Sequence, residues 1–161
     1  MRSSPVDRLF QLAYRGAYLL MRANWALRRP FTHGALVAIW YEGRVLLIRN
    51  SYVDYYSLPG GYVRARETGE EAATRELREE LSLSVARADL KLALVEDHEW
   101  EGKRERVEIF EYLAEDALHV EPDNREVIEA AFFPPERALT LALFPPARTV
   151  IRRRLERLHS A

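Results

Sequence analysis

From His33 onward the chain interleaves short β-rich runs with helical stretches and never repeats a strand–helix–strand period. That pattern restricts it to an α/β fold in which helices cover both faces of a mixed sheet. The runs HGALVAIW and RVLLIRN are rich in β-branched and aromatic residues and are separated by Glu42-Gly43, a hairpin signal. A loop, SYVDYYSLPGGYV, follows them. A helical segment is expected from Gly69 to Leu81, strands near 89–97, 105–114 and 129–133, and helices near 135–141 and 146–158. Upstream, residues 6–28 carry apolar residues at helical spacing. They stop at Arg29-Pro30 because the residue before a proline is steered out of the helical region. With 161 residues, 48% of them hydrophobic, the chain can bury one substantial core and is too short for two ordinary domains. The expected division is an N-terminal amphipathic helix over 1–30 and one domain over 31–161.

Charge is unevenly spread. Net charge is −1, but residues 1–30 hold six arginines against Asp7 and residues 147–161 hold five against Glu156, which leaves residues 31–146 at −10. An acidic middle suits a protein that takes up a divalent cation and meets an anionic substrate through it, although acidic surfaces are also common without such a role. The absence of cysteine excludes disulfides and thiolate metal sites. Arg15 and Arg22 interrupt the apolar stretches near the N-terminus well short of the roughly 20 residues that a spanning helix needs, so no transmembrane segment is expected. They also spoil a secretory signal, while an arginine-rich, acid-poor leader matches a mitochondrial transit peptide if the source is eukaryotic. A cytoplasmic bacterial protein is the preferred reading.

Chemistry concentrates between Gly61 and Leu83, GYVRARETGEEAATRELREELSL. Thr68 followed three residues later by Glu71 is a capping-box signature and places the helix start at Thr68. Within the helix, Glu76, Glu79 and Glu80 lie at i, i+3 and i+4 and share one face, while Ala73, Leu77 and Leu81 form the adjoining stripe that packs on a sheet. Like charges at this spacing repel, and a hard oxygen-loving ion such as Mg²⁺ or Mn²⁺ relieves the repulsion. The competing reading is a solvated face on which Glu71, Arg75 and Glu79 form ordinary i,i+4 ion pairs.

The flanks of this helix decide between the two. Gly61, Glu67, Arg75-Glu76-Leu77, Glu79-Glu80 and Leu83 resemble the Nudix box, G-x5-E-x7-R-E-U-x-E-E-x-G-U with U apolar, and Leu58-Pro59-Gly60-Gly61 resembles the turn through which that family enters its box. One position departs: Ser82 stands where the family usually has glycine, and a left-handed turn is expected there. The resemblance implies a Nudix-type α/β/α sandwich with a mixed sheet, to which the N-terminal helix is an addition. It implies a metal-dependent pyrophosphohydrolase that cleaves phosphoanhydride bonds, with Mg²⁺ as the cofactor and Mn²⁺ as the alternative. It makes Glu76, Glu79 and Glu80 the principal metal ligands and Arg75 the residue that orients them. Glu67 then pairs with Arg75 or assists a metal-bound water, Gly60 and Gly61 let backbone approach metal and phosphates, and Glu126 supplies a further carboxylate from a loop before a late strand. Glu79 or Glu80, backed by Glu67 and Glu126, is the expected proton acceptor.

The expected substrate is a small nucleoside diphosphate derivative, a nucleotide sugar foremost, and no specific nucleic acid is expected as a partner. Tyr52, Tyr55 and Tyr56 before the box and Trp100 after it are candidates to stack on a base, against packing as their alternative; Tyr52 and Tyr56 are the favoured pair. A non-hydrolysing Nudix-fold module that senses a nucleotide is the rival reading. In residues 6–28, Arg8, Arg15, Arg22 and Arg29 recur every seven residues as a basic stripe beside Leu9, Phe10, Leu12, Leu20, Met21 and Leu27. That apolar surface needs a cover, and the candidates are the chain's own domain, a second subunit or an anionic bilayer. A homodimer is the favoured expectation.

Overall fold

The computed structural model describes residues 4–159. Helix α1 (Pro5–Arg28) is followed by β1 (Phe31–Tyr41), β2 (Arg44–Asn50), β3 (Gly60–Tyr62), α2 (Gly69–Leu81), β4 (Lys91–Trp100), β5 (Lys103–Leu113), β6 (Val127–Phe133), α3 (Pro135–Ala138) and α4 (Pro145–His159). The six strands form one mixed sheet in the order β4-β5-β1-β2-β6, with β3 paired to β1 off that path. β1 runs parallel to β5 over ten residue pairs, and the other pairings are antiparallel.

β1 is buried on both faces, and its alternate side chains feed two cores. Ala35, Val37 and Ile39 join Leu46, Ile48 and Phe110 beneath Ala72, Ala73, Leu77 and Leu81 of α2. Leu36, Ala38 and Trp40 join Val45, Leu47 and Ile109 beneath Ala147, Val150 and Ile151 of α4. The result is the expected α/β/α sandwich, with α1 as an additional helix.

Two hairpins turn through the same dipeptide. Glu42-Gly43 and Glu101-Gly102 all have positive φ, the backbone of a tight two-residue turn whose twist matches the strands. The first is legible in sequence. The second carries the same signal and extends β4 and β5 beyond the bounds expected from hydrophobic pattern. β3 falls inside the segment expected to be a loop, and its three residues read as a turn because two of them are glycine. α3 ends at Ala138, short of the expected 141.

Candidate active site

Thr68 caps α2 reciprocally: its hydroxyl accepts from the Glu71 N–H at 3.3 Å, and the Glu71 carboxylate accepts from the Thr68 N–H at 3.0 Å. Packing of Ala72, Ala73, Leu77 and Leu81 sets the helix's rotation, and that rotation turns Glu76 and Glu80 toward the Gly60-Gly61 turn at β3. Both glycines are required there. Gly60 has a φ of 136°, and a Cβ on it would collide with the Ala35 carbonyl oxygen; a Cβ on Gly61 would collide with the Glu76 carboxylate. At the far end of α2, Ser82 adopts φ 56° and ψ 24°, and Leu83 N–H reaches back to Leu77 O at 3.1 Å. This is the left-handed turn expected from the family's glycine.

Arg75 is the hub of the carboxylates. It is buried and donates through Nε and Nη2 to both oxygens of Glu67 (2.8 and 3.0 Å), through Nη1 to Glu76 (2.5 Å) and Glu79 (3.2 Å), and through Nη2 to the Tyr62 carbonyl (3.0 Å). The paired guanidinium lowers the Glu67 pKa to about 2. Glu79 is half-exposed and also faces Arg64 at 3.5 Å.

Glu80 differs from its neighbours. It is buried, its Oε2 accepts one hydrogen bond from Gly60 N–H at 2.9 Å, and burial, with Glu76, Glu126 and Asp123 nearby, raises its proton affinity well above that of an ordinary glutamate. Glu126 reaches the same cluster from the loop before β6. The Asp123 carboxylate accepts from the N–H groups of Arg125, Glu126 and Val127, Ser51 N–H donates to Glu126 O at 2.7 Å, and Asp123 N–H donates to Glu80 O at 3.2 Å. The loop is thereby tied both to β2 and to the end of α2. Burial raises the Glu126 pKa too, while its hydrogen bond from Tyr52 (2.8 Å) opposes the rise.

Among the described residues, no three His, Asp or Glu side chains already form a metal-binding group, and Arg75 holds Glu76 and Glu79. The donor set nonetheless fits a hard divalent cation. Its groups are carboxylates, and the buried Glu80 and the half-buried Glu126 lie beside further negative charge without a cationic hydrogen-bond donor of their own.

Beside the Gly60-Gly61 turn opens a cleft of about 150 Å³. Tyr52, Tyr55 and Trp100 line it as aromatic walls, Glu101, Lys103 and Glu105 add polar groups, and α1 contributes Tyr18 and Trp25. Tyr52 packs on Tyr14 and Tyr18, and the Lys103 ammonium lies 4.9 Å from the ring centres of both Trp25 and Tyr62. Tyr56 is placed elsewhere: its hydroxyl donates to Glu129 and its ring packs on Phe133. The sequence reading did not bring Tyr18, Trp25, Lys103, Glu105 or Asp123 to the site. For α1 a signal was present, since Tyr14, Tyr18 and Trp25 at i, i+4 and i+11 lie on one helical face opposite the leucines.

The NUDIX domain family model matches residues 30–154. The chain belongs to the NUDIX family. It is 36% identical over 103 residues to an 8-oxo-dGTP diphosphatase of Haemophilus influenzae, a match spanning 63% of this chain and 71% of the relative. A MutT NUDIX hydrolase from Burkholderia pseudomallei superposes with a TM-score of 0.67 at 25% identity, over 76% of this chain and 96% of that one. A bifunctional NMN adenylyltransferase/ADP ribose pyrophosphatase from Francisella tularensis, complexed with AMP and a Mn ion, shares the fold at 15% identity with a TM-score of 0.69, over 91% of this chain and 48% of that one. As a NUDIX hydrolase the protein acts on phosphoanhydride bonds, and members of the family generally use divalent metal ions.

Proposed function

We propose that this NUDIX hydrolase is a Mg²⁺-dependent pyrophosphohydrolase of a nucleoside diphosphate derivative, with a nucleotide sugar as the leading substrate class. The supporting observation is the continuity between the aromatic cleft and the carboxylate cluster at Gly60-Gly61, which gives a base and a diphosphate adjoining places. Tyr52, Tyr55, Tyr18 and Trp100 offer faces for the base, and Lys103, Glu101 and Glu105 offer hydrogen bonds to its edge or to sugar hydroxyls.

Glu76, Glu79, Glu80 and Glu126 would hold the cation. When bound, it supplies charge neutralisation at the phosphate oxygens and a more acidic water. Arg75 keeps Glu76 and Glu79 oriented through its fixed fork of donors and is itself held by Glu67, so Glu67 acts as a positioning residue. Glu79, half-exposed at the edge of the cluster, is the preferred proton acceptor for the attacking water. The Gly60 and Gly61 backbone approaches the diphosphate without side-chain obstruction.

The diphosphatase name of the Haemophilus influenzae relative supports a nucleoside triphosphate as the second substrate reading. A panel of nucleotide sugars, dinucleotides and nucleoside triphosphates, assayed with and without Mg²⁺ by phosphate release after phosphatase coupling, tests both. Turnover of a diphosphate derivative to a nucleoside monophosphate supports the first reading. Preference for a triphosphate with pyrophosphate release replaces it with the second, and binding without turnover across the panel refutes both in favour of a sensing module.

A further inference from the structure

Helix α1 uses one face for its own domain and leaves the other bare. The docked face is polar and aromatic: Gln11 Nε2 donates to Asn124 O, Arg15 to Ser51 O and Tyr18 to the Glu101 carboxylate, while Trp25 is buried and the Phe10 ring lies 4.5 Å from the Arg125 guanidinium. On the far side, Leu9, Leu12, Leu19, Leu20 and Leu27 are 64% to 84% exposed. Leucines facing water along most of the helix are far more apolar surface than a lone soluble helix ordinarily presents. The domain cannot cover them, because they point away from the residues that dock.

We infer that this leucine face is an interfacial anchor for an anionic lipid bilayer. The charges beside it decide the occupant. Arg8 and Arg22 are exposed and border the leucines, Arg28 is exposed near the helix's end, and the helix's one acid, Asp7, is already engaged by the Ser4 cap and Arg125. A second copy of the chain, the occupant favoured from sequence, would bring these arginine flanks against their own kind with the one acid of each helix already engaged. An anionic headgroup layer instead attracts each arginine while the leucines enter the acyl boundary. No helix of the described chain is long and apolar enough to cross a membrane, so the contact lies in the interface plane. α1 also walls the cleft through Tyr18 and Trp25, which places the active site beside the lipid surface.

The full chain is sedimented with phosphatidylcholine vesicles, with and without phosphatidylglycerol. Its oligomeric state is measured by light scattering. The expected result is retention on the anionic vesicles roughly tenfold or more above the neutral ones, weakened by salt. Leu12→Glu/Leu20→Glu should lose this binding while hydrolysing soluble nucleotides at the parent rate. Because the chain has no cysteine, a dye on Leu20→Cys reports depth, and its emission should shift to the blue on anionic vesicles while a dye on Glu136→Cys does not shift. Equal binding to neutral vesicles, absence of binding to either, or a stable dimer that the double variant dissociates would each overturn the inference.

Discussion

Replacing Glu80 by glutamine removes a buried negative charge and keeps the side chain's shape. Glu80 is 6% exposed and receives one hydrogen bond, from Gly60 N–H at 2.9 Å, which the glutamine carbonyl can also accept. Burial, reinforced by Glu76, Glu126 and Asp123, raises its folded-state pKa above the ordinary value of 4.5. The folded protein therefore binds more protons than the unfolded chain above that pH. Stability of the metal-free protein must fall as pH rises through the window between the unfolded and folded pKa values, by at most about 1.4 kcal/mol per pH unit for one group. Over one pH unit inside that window this corresponds to at most roughly 3–6 °C in Tm for a chain of this size. Glu126, shifted in the same direction, adds to the slope. Glu80→Gln does not titrate. In EDTA at pH 7 it should be more stable than the parent and show a flatter pH profile, yet lose on the order of 10²–10³-fold in Mg²⁺-dependent turnover. Thermal unfolding in EDTA at pH 5, 6, 7 and 8, paired with turnover assays, measures both effects. A parent Tm that is flat from pH 5 to 7, or a variant less stable than the parent at pH 7, would refute the reasoning.

Ser82→Gly should raise stability by about 0.5 kcal/mol, since relief of the left-handed strain at φ 56° exceeds the added entropy of the unfolded chain; a fall in the denaturation midpoint would contradict this. Arg75→Gln should cost about 3–5 kcal/mol in urea unfolding, because it leaves Glu67, Glu76 and the Tyr62 carbonyl without their shared donor, and a loss below about 1 kcal/mol would show that the hub is not structural. The Glu67–Arg75 pair should contribute fully above pH 4.5 and be lost as pH falls toward 2, because the folded pKa of Glu67 is depressed to about 2; acid unfolding that is unchanged by Glu67→Gln would contradict that assignment. Tyr18→Ala should raise KM for the nucleotide about tenfold with kcat little changed, whereas an unchanged KM would remove α1 from the substrate cleft.

Local chemistry was readable before any coordinates. The capping box at Thr68, the hairpin at Glu42-Gly43 and the end of α1 at Arg29-Pro30 depend on residues within a few positions of one another, so propensity and spacing suffice to determine them, whereas the left-handed turn at Ser82 was legible only through the family's glycine at that place. The shared face of Glu76, Glu79 and Glu80 belongs to the same class, because helical periodicity sets it. Glu67 was also legible as the partner of Arg75, through the fixed spacing of the box.

Other features depend on distances that no local pattern encodes. Glu126 becomes part of the cluster because Asp123 N–H meets Glu80 O and Ser51 N–H meets Glu126 O, contacts between three separate elements. Tyrosines of one loop part company for a similar reason. Tyr52 points to Glu126 and α1, while Tyr56 is drawn to Glu129 and Phe133 by its pairing with the segment before α4. Helical spacing separates an aromatic face of α1 from a leucine face, but which of the two docks is not encoded locally, since both carry large apolar groups. What distinguishes them is that Tyr14, Tyr18 and Trp25 find Tyr52 and Lys103 opposite, partners far along the chain, whereas the leucines find none. Sequence alone thus determined which groups can bear the chemistry, because helical and turn geometry are local; tertiary packing decided which of them meet, because burial and electrostatic pairing act between residues that only the fold makes neighbours.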